Sequence, residues 1–215
     1  MILVTGGSGE LAQAIGIELA KRGTQFRLIS RKSERKRQLV IPVEVVESYN
    51  SLSIDAKVDT LLITNGFFIF KSLEQLSSEQ LNELIEANFS SVVSIMRRFL
   101  KDSNSSRQRD VFVIGSTAAY DLGAGASIYG ALKLGIKGLL QSLNKEYASV
   151  NTRFSLISFS TIDNSMGRLV PDQDPSTLLN LQELASEICD QLTRKRNYFE
   201  PEVILRRRFI QDHKK

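Results

Sequence analysis

The sequence predicts an α/β protein, with a doubly wound, mainly parallel seven-stranded sheet and helices on both faces. Three observations predict it. Short apolar runs rich in Val, Ile, Leu and Phe recur along the chain, segments with helical spacing fall between them, and a glycine-rich turn follows the first run. Alternation of this kind builds parallel sheets, because each crossover needs a helix to bring the chain back to the same end of the sheet. A length of 215 residues, 42% hydrophobic and 24% charged, suits a single domain over residues 1–215 with its own core.

The strand-like runs are residues 2–4, 25–29, 43–46, 60–64, 111–114, 154–159 and 202–205. They are continuously apolar rather than alternating, as strands covered on both faces should be. Helical spacing covers residues 11–22, with Gly23 placed as a C-terminal cap. It resumes over 78–101, where Ser77 and Gln80 form a capping-box pair. Two further helices are expected over 127–148 and 176–192, and the polar stretch 101–109 reads as a loop. No apolar run approaches the roughly 18 residues of a membrane span. Met1 leads straight into the first strand with no basic or apolar leader, so the cytoplasm is the expected compartment.

Composition excludes several chemistries. Cys189 is the one cysteine and His213 the one histidine. An internal disulfide, a cysteine zinc site and a His-x-x-x-His zinc helix are therefore impossible, no metal is expected, and a Ser-His-Asp hydrolase is disfavoured. Cys189 falls in an apolar helical pattern and reads as packing. The net charge of +4 is concentrated late, in Arg194-Lys195-Arg196, Arg206-Arg207-Arg208 and Lys214-Lys215. Without interleaved aromatics these read as a solvated edge rather than a patch for nucleic acid or anionic lipid.

After the first strand comes Thr5-Gly6-Gly7-Ser8-Gly9-Glu10-Leu11-Ala12, which contains the G-x-G-x-x-A form of the dinucleotide pattern. Glycines allow a tight turn and a close backbone approach to a pyrophosphate, and the following helix start supplies N–H groups and a favourable dipole. The fold is thus expected to be Rossmann-type, with Gly6, Ser8, Gly9, Glu10 and Leu11 along the cofactor. An NAD site usually offers a carboxylate at the end of the second strand, but here stand Ser30, Arg31 and Lys32. Hydroxyls and cations suit a 2′-phosphate, so NADP(H) is expected in preference to NAD(H).

Tyr129 and Lys133 lie four residues apart on an expected helix and so share one face. A positive charge near a phenol favours phenolate and makes the group a usable acid or base. Ser116 follows the apolar run 111–114, at the strand end where such sheets bind ligands. Asn88 falls on the apolar stripe of Leu81, Leu84, Ile85, Val92, Met96 and Phe99. It reads either as a kink satisfied by local backbone or as a polar station holding water. Phe67-Phe68-Ile69-Phe70 reads as core or subunit contact before pocket lining.

Together these residues resemble the short-chain dehydrogenase/reductase family across nearly the whole chain. Tyr129 and Lys133 match its Tyr-x-x-x-Lys motif. Ser116, thirteen positions earlier, matches its serine, and Asn88, twenty-eight before that, its asparagine. Ile63-Thr64-Asn65-Gly66 is similar to the family's Asn-Asn-Ala-Gly stretch. The resemblance implies that Tyr129 is the acid/base, that Lys133 lowers its pKa and bonds the nicotinamide ribose, that Ser116 orients the substrate oxygen and that Asn88 keeps a water. It adds Asn65, Gly66 and Asn164 to the cofactor contacts, and implies a homodimer or homotetramer. The chain departs from the family pattern after the sixth strand, where Phe159-Ser160 replaces Pro-Gly, and in a short lid over 165–174. Three functions are therefore in play: an NADP(H)-dependent carbonyl reductase or alcohol dehydrogenase, a non-catalytic dinucleotide-binding module, and epimerase- or dehydratase-like chemistry on a nucleotide sugar.

Overall fold

The computed structural model describes residues 1–31, 39–101, 107–121, 123–171, 173–194 and 198–207. Expectations placed on Lys32, Lys195, Arg196, Arg208, His213, Lys214 and Lys215 lie outside the described residues. The strands are β1 (Ile2–Thr5), β2 (Phe26–Ser30), β3 (Glu44–Val45), β4 (Thr60–Ile63), β5 (Arg109–Ile114), β6 (Thr152–Phe159) and β7 (Glu202–Leu205). The α-helices are α1 (Glu10–Lys21), α2 (Ser78–Ile85), α3 (Ser91–Lys101), α4 (Ser127–Glu146) and α5 (Leu181–Thr193). The strands form one sheet in the order β3-β2-β1-β4-β5-β6-β7, and every pairing is parallel.

Side chains alternate across the sheet and sort the core into two halves. Leu3, Leu61 and Val111 pack with Val92, Phe99, Ile136 and Leu140 of α3 and α4. Ile2, Val4 and Leu62 pack on the other face with Ile15 and Leu19 of α1 and Ile188 of α5. Cys189 sits in this second half, fully buried, and burial pushes its thiol up to about 12. It is packing, as its apolar surroundings require. The strand order reverses between β1 and β4, so the carboxyl ends of these strands border the crevice where open sheets bind ligands.

Helix starts follow their capping chemistry. Ser77 and Gln80 form the reciprocal capping box at α2, and Gly23 takes a left-handed φ of 64° just past α1. Among the departures from expectation, three bear on the packing. The helix expected over 78–101 is interrupted by a π-helical turn at Glu86–Ser90. The last helix begins at Leu181, not 176. Pro175–Thr177 makes a 3-10 turn, and Leu179 N–H donates to Thr161 O at 3.0 Å, which holds the chain extended until Asn180 caps α5. Arg109, expected in a loop, opens β5 and is 5% exposed. Its guanidinium lies 4.2 Å from the Phe99 ring centroid and donates to Phe99 O at 3.0 Å, contacts that replace water.

Phe99 therefore supports both the core and a buried cation. Phe99→Ala is expected to lower the free energy of unfolding by about 3–5 kcal/mol. Urea unfolding checks this, through a lower midpoint at an unchanged slope.

Candidate active site

The end of β5 is drawn against β6. Gly115 N–H donates to Ile157 O at 2.8 Å, and a Cβ at Gly115 would come within 2.3 Å of Ser158 Oγ. Only a residue without a side chain fits this approach. Ser116 then opens a 3-10 turn over Thr117–Ala119, its Oγ accepting from Ala118 N–H at 3.1 Å. Helix α4 brings Tyr129 to the same place, where it lines one cavity with Ser116. One turn further along, Lys133 is 3% exposed, and its Nζ donates to Ile114 O at 3.1 Å. The same Nζ lies 5.5 Å from the Tyr129 ring centroid.

Burial governs both groups. It pushes the Tyr129 phenol above its ordinary value, while the Ser116 hydroxyl acts the other way. It brings the Lys133 ammonium down to about 8. Desolvation dominates at the phenol in this structure, where the Lys133 ammonium is turned toward a backbone carbonyl.

The π-helical turn frees backbone at Asn88. Asn88 Nδ2 donates to Leu84 O at 3.0 Å and to Phe67 O at 2.8 Å. The residue is fully buried, and its Oδ1 has no partner among the described residues. Local backbone thus satisfies the amide N–H groups and leaves the oxygen open. Gly66, at φ +140°, lies beside it. A Cβ there would sit 2.5 Å from Asn88 Oδ1 and 3.3 Å from Lys133 Nζ, so both polar groups flank the same glycine. Ile85, expected on the apolar stripe, is 37% exposed because the π turn rephases the helix.

The crevice beside β1 has the shape of a dinucleotide cradle. Gly6 has φ +75°, and a Cβ on it would meet Thr64 Oγ1 at 2.6 Å. Gly9 starts α1 with no side-chain cap, which leaves first-turn amides to an anion. Leu11 packs against the core below. Glu10 adds a carboxylate to that first turn and accepts from Ser165 N–H at 3.0 Å. Ser8 and Ser30 hydroxyls are 3.0 Å apart. Arg31 donates to Glu86 Oε1 at 2.7 Å and lies 5.1 Å from the Tyr49 ring centroid. The Asn65 carboxamide braces the floor: its Oδ1 accepts from Thr5 Oγ1 at 2.5 Å and its Nδ2 donates to Tyr49 Oη at 2.9 Å. Asn164 is 8% exposed, and its Oδ1 accepts from Gly167 N–H at 2.7 Å, closing the loop after β6.

A cavity of about 350 Å³ opens at the carboxyl edge of the sheet. Ser116 and Tyr129 line it, with Phe68, Phe70, Arg206 and Arg207 among the other walls. Phe68 meets Tyr129 edge-on at 5.7 Å between centroids, and Phe70 meets Phe68 at 6.4 Å. Two expectations change here. Phe68 and Phe70 are cavity walls before they are core, because the left-handed Gly125 lets the Phe70 ring lie directly over it. Arg207 is a half-buried wall of the cavity rather than a solvated edge, and exposed Arg206 lines the same rim, because β7 ends beside β5 and β6. The position right after the last strand was the signal for these arginines. Glu86 and Tyr49, which engage Arg31, gave no signal in the sequence.

The sequence pattern of the short chain dehydrogenase family matches residues 44–174, more than half of the chain. The 3-dehydrosphinganine reductase TSC10B of Arabidopsis thaliana is 27% identical over 175 residues. That match takes in 73% of this chain but only 53% of the plant protein. The 3-oxoacyl-acyl-carrier-protein reductase of Escherichia coli is 26% identical over 194 residues, 82% of this chain and 79% of that one. Among solved structures, a short-chain dehydrogenase/reductase from Vibrio parahaemolyticus superposes with a TM-score of 0.84 at 20% identity, covering 97% of this chain and all of the other. An alcohol dehydrogenase from Thermococcus sibiricus complexed with 5-hydroxy-NADP superposes at 0.79 with 23% identity, covering 95% of each chain. The chain belongs to the short chain dehydrogenase family, and with it to a family of oxidoreductases. No helix among the described residues is long and apolar enough to cross a membrane.

The buried lysine has a measurable cost. Its pKa is depressed from 10.5 to about 8, so the unfolded chain binds this proton more tightly. Stability is lost in full below pH 8 and recovered as pH rises toward 10.5. Lys133→Met is expected to stabilise the protein at pH 7 by roughly 1–3 kcal/mol. The gap between variant and wild type should close between pH 8 and 10.5, as thermal unfolding across that range would show.

Proposed function

We propose that this chain is an NADP(H)-dependent oxidoreductase that interconverts a carbonyl and a secondary alcohol, with Tyr129 as general acid and base. The observation that carries this reading is a phenol that lines one cavity with Ser116, one helical turn from a buried lysine. The residues present fit a nicotinamide dinucleotide. Gly6 and Gly66 leave room where any side chain would clash, α1 starts without a side-chain cap, and Asn88 Oδ1 is an open acceptor. Gly6, Ser8, Gly9, Glu10 and Leu11 would hold the pyrophosphate side. Ser30 and Arg31 would hold the 2′-phosphate, with Lys32 beside them in sequence. Asn65, Gly66, Tyr129, Lys133 and Asn164 would border the nicotinamide side.

A bound nicotinamide supplies or accepts hydride. The chain's own groups do the rest. Ser116 donates a hydrogen bond to the substrate oxygen, and Tyr129 gives that oxygen a proton during reduction or takes one during oxidation. Lys133 stabilises the phenolate left behind. Asn88 Oδ1, beside Gly66 and Lys133, holds a water that returns the proton. Exposed Leu134 and Ile85 suit self-association into a homodimer or homotetramer.

Tyr129→Phe is expected to cut kcat by about 100-fold or more while NADPH binding persists. An assay of NADPH absorbance on a ketone panel, beside titration of NADPH, checks both halves. NADPH binding without turnover in the wild type would leave a binding module in place of an enzyme. Arg31→Ala is expected to weaken NADPH binding about tenfold and to leave NADH nearly unchanged. Equal losses for both cofactors would remove the 2′-phosphate assignment.

A further inference from the structure

We infer that the substrate is a carbonyl compound bearing an anionic group, held by Arg207 across the cavity from Ser116 and Tyr129. This rests on the reductase reading and names its substrate class. Register places the cation. Phe159 pairs with Leu205 across β6 and β7, so Arg206 and Arg207 leave the sheet at its carboxyl edge. Ser160 N–H donates to Leu205 O at 3.0 Å, and Arg207 N–H donates to Ser160 Oγ at 3.4 Å, tying this segment to the loop after β6. Ser116 stands two strand positions away, roughly 10 Å laterally. Both arginines and the reacting hydroxyls line one cavity.

The two cations differ in what already holds them. Arg206 is paired with Asp121, Nη1 to Oδ2 at 2.5 Å, and Asp121 also lines the cavity. Among the described residues, Arg207 Nη1 donates to Thr177 Oγ1 at 3.2 Å and Gln173 Oε1 at 3.5 Å, which are neutral groups that orient the fork without cancelling its charge. A guanidinium held in this way matches a carboxylate or phosphate. Apolar walls at Phe68, Phe70, Met166 and Val170 fit the methylenes of a substrate that carries its carbonyl and its anion at opposite ends. A volume of about 350 Å³ suits a small molecule of this kind.

The experiment uses the full chain with NADPH present, and compares binding by calorimetry and turnover by absorbance. The probes are 4-oxopentanoate, 5-oxohexanoate and 6-oxoheptanoate, their methyl esters, and 5-oxohexylphosphonate. The acids or the phosphonate are expected to bind at least about tenfold tighter than the esters, the better anion identifying the head group. Arg207→Gln should bring that ratio close to one, Arg207→Lys should keep part of it, and Asp121→Asn should raise it. Equal binding of acids and esters by the wild type overturns the inference, as does a ratio that survives Arg207→Gln in a folded variant. Selective binding of the anions without any turnover keeps Arg207 as an anion site and removes the reductase reading, and the substrate assignment with it. Turnover without discrimination does the reverse.

Discussion

The hydrogen bond from Lys133 Nζ to Ile114 O is the contact on which the site depends. It joins the middle of α4 to the last residue of β5, and it does so with a charge that burial disfavours. Because the ammonium is anchored there, the residue one turn earlier on α4 meets the residue two places beyond the strand. Tyr129 and Ser116 are positioned by that geometry and not by flexible loops. Sites carried on rigid elements hold their geometry more closely than sites on loops.

The same region concentrates unfavourable terms. A buried cation, a half-buried phenol and an orphan carboxamide oxygen lie near one another at the sheet edge. Unpaired buried polar groups cost on the order of 1–3 kcal/mol each. The two core halves offset this through strand side chains that are almost wholly buried. Glycine at 6, 66 and 115 makes the arrangement possible sterically, since each stands where a Cβ would strike a polar atom.

The strand and helix pattern was legible because its causes are local. Apolar runs, a capping box and a left-handed glycine are read from a few neighbouring residues. The β7 bounds agree with the expected 202–205 for this reason. The meeting of Asn88, Ser116, Tyr129 and Lys133 could be anticipated only through spacing within a resemblance. What escaped depends on contacts between distant segments. Arg31 meets Glu86 across 55 positions, and Asn65 meets Tyr49 across 16. The arginines after β7 looked like surface charge because composition says nothing about which rim a strand reaches. The irregularity at Asn88 was open in the sequence only as one of two readings, a kink, because Leu84, Asn88 and Val92 keep an unbroken helical rhythm on paper while the backbone inserts an extra step between them.

That extra step has a consequence for tolerance to length change. A helix advances about 100° per residue. Removing one residue from the stretch Glu86–Ser90 would let an ordinary ladder re-form and leave the flanking turns facing as they do now, because the wide turn already absorbs the extra residue. The Leu84 carbonyl that now receives Asn88 Nδ2 would return to the helix ladder, and Asn88 would lose one of the two acceptors that hold its side chain. Loss of a single peptide unit at this bulge therefore disturbs the placing of Asn88 before it disturbs the core.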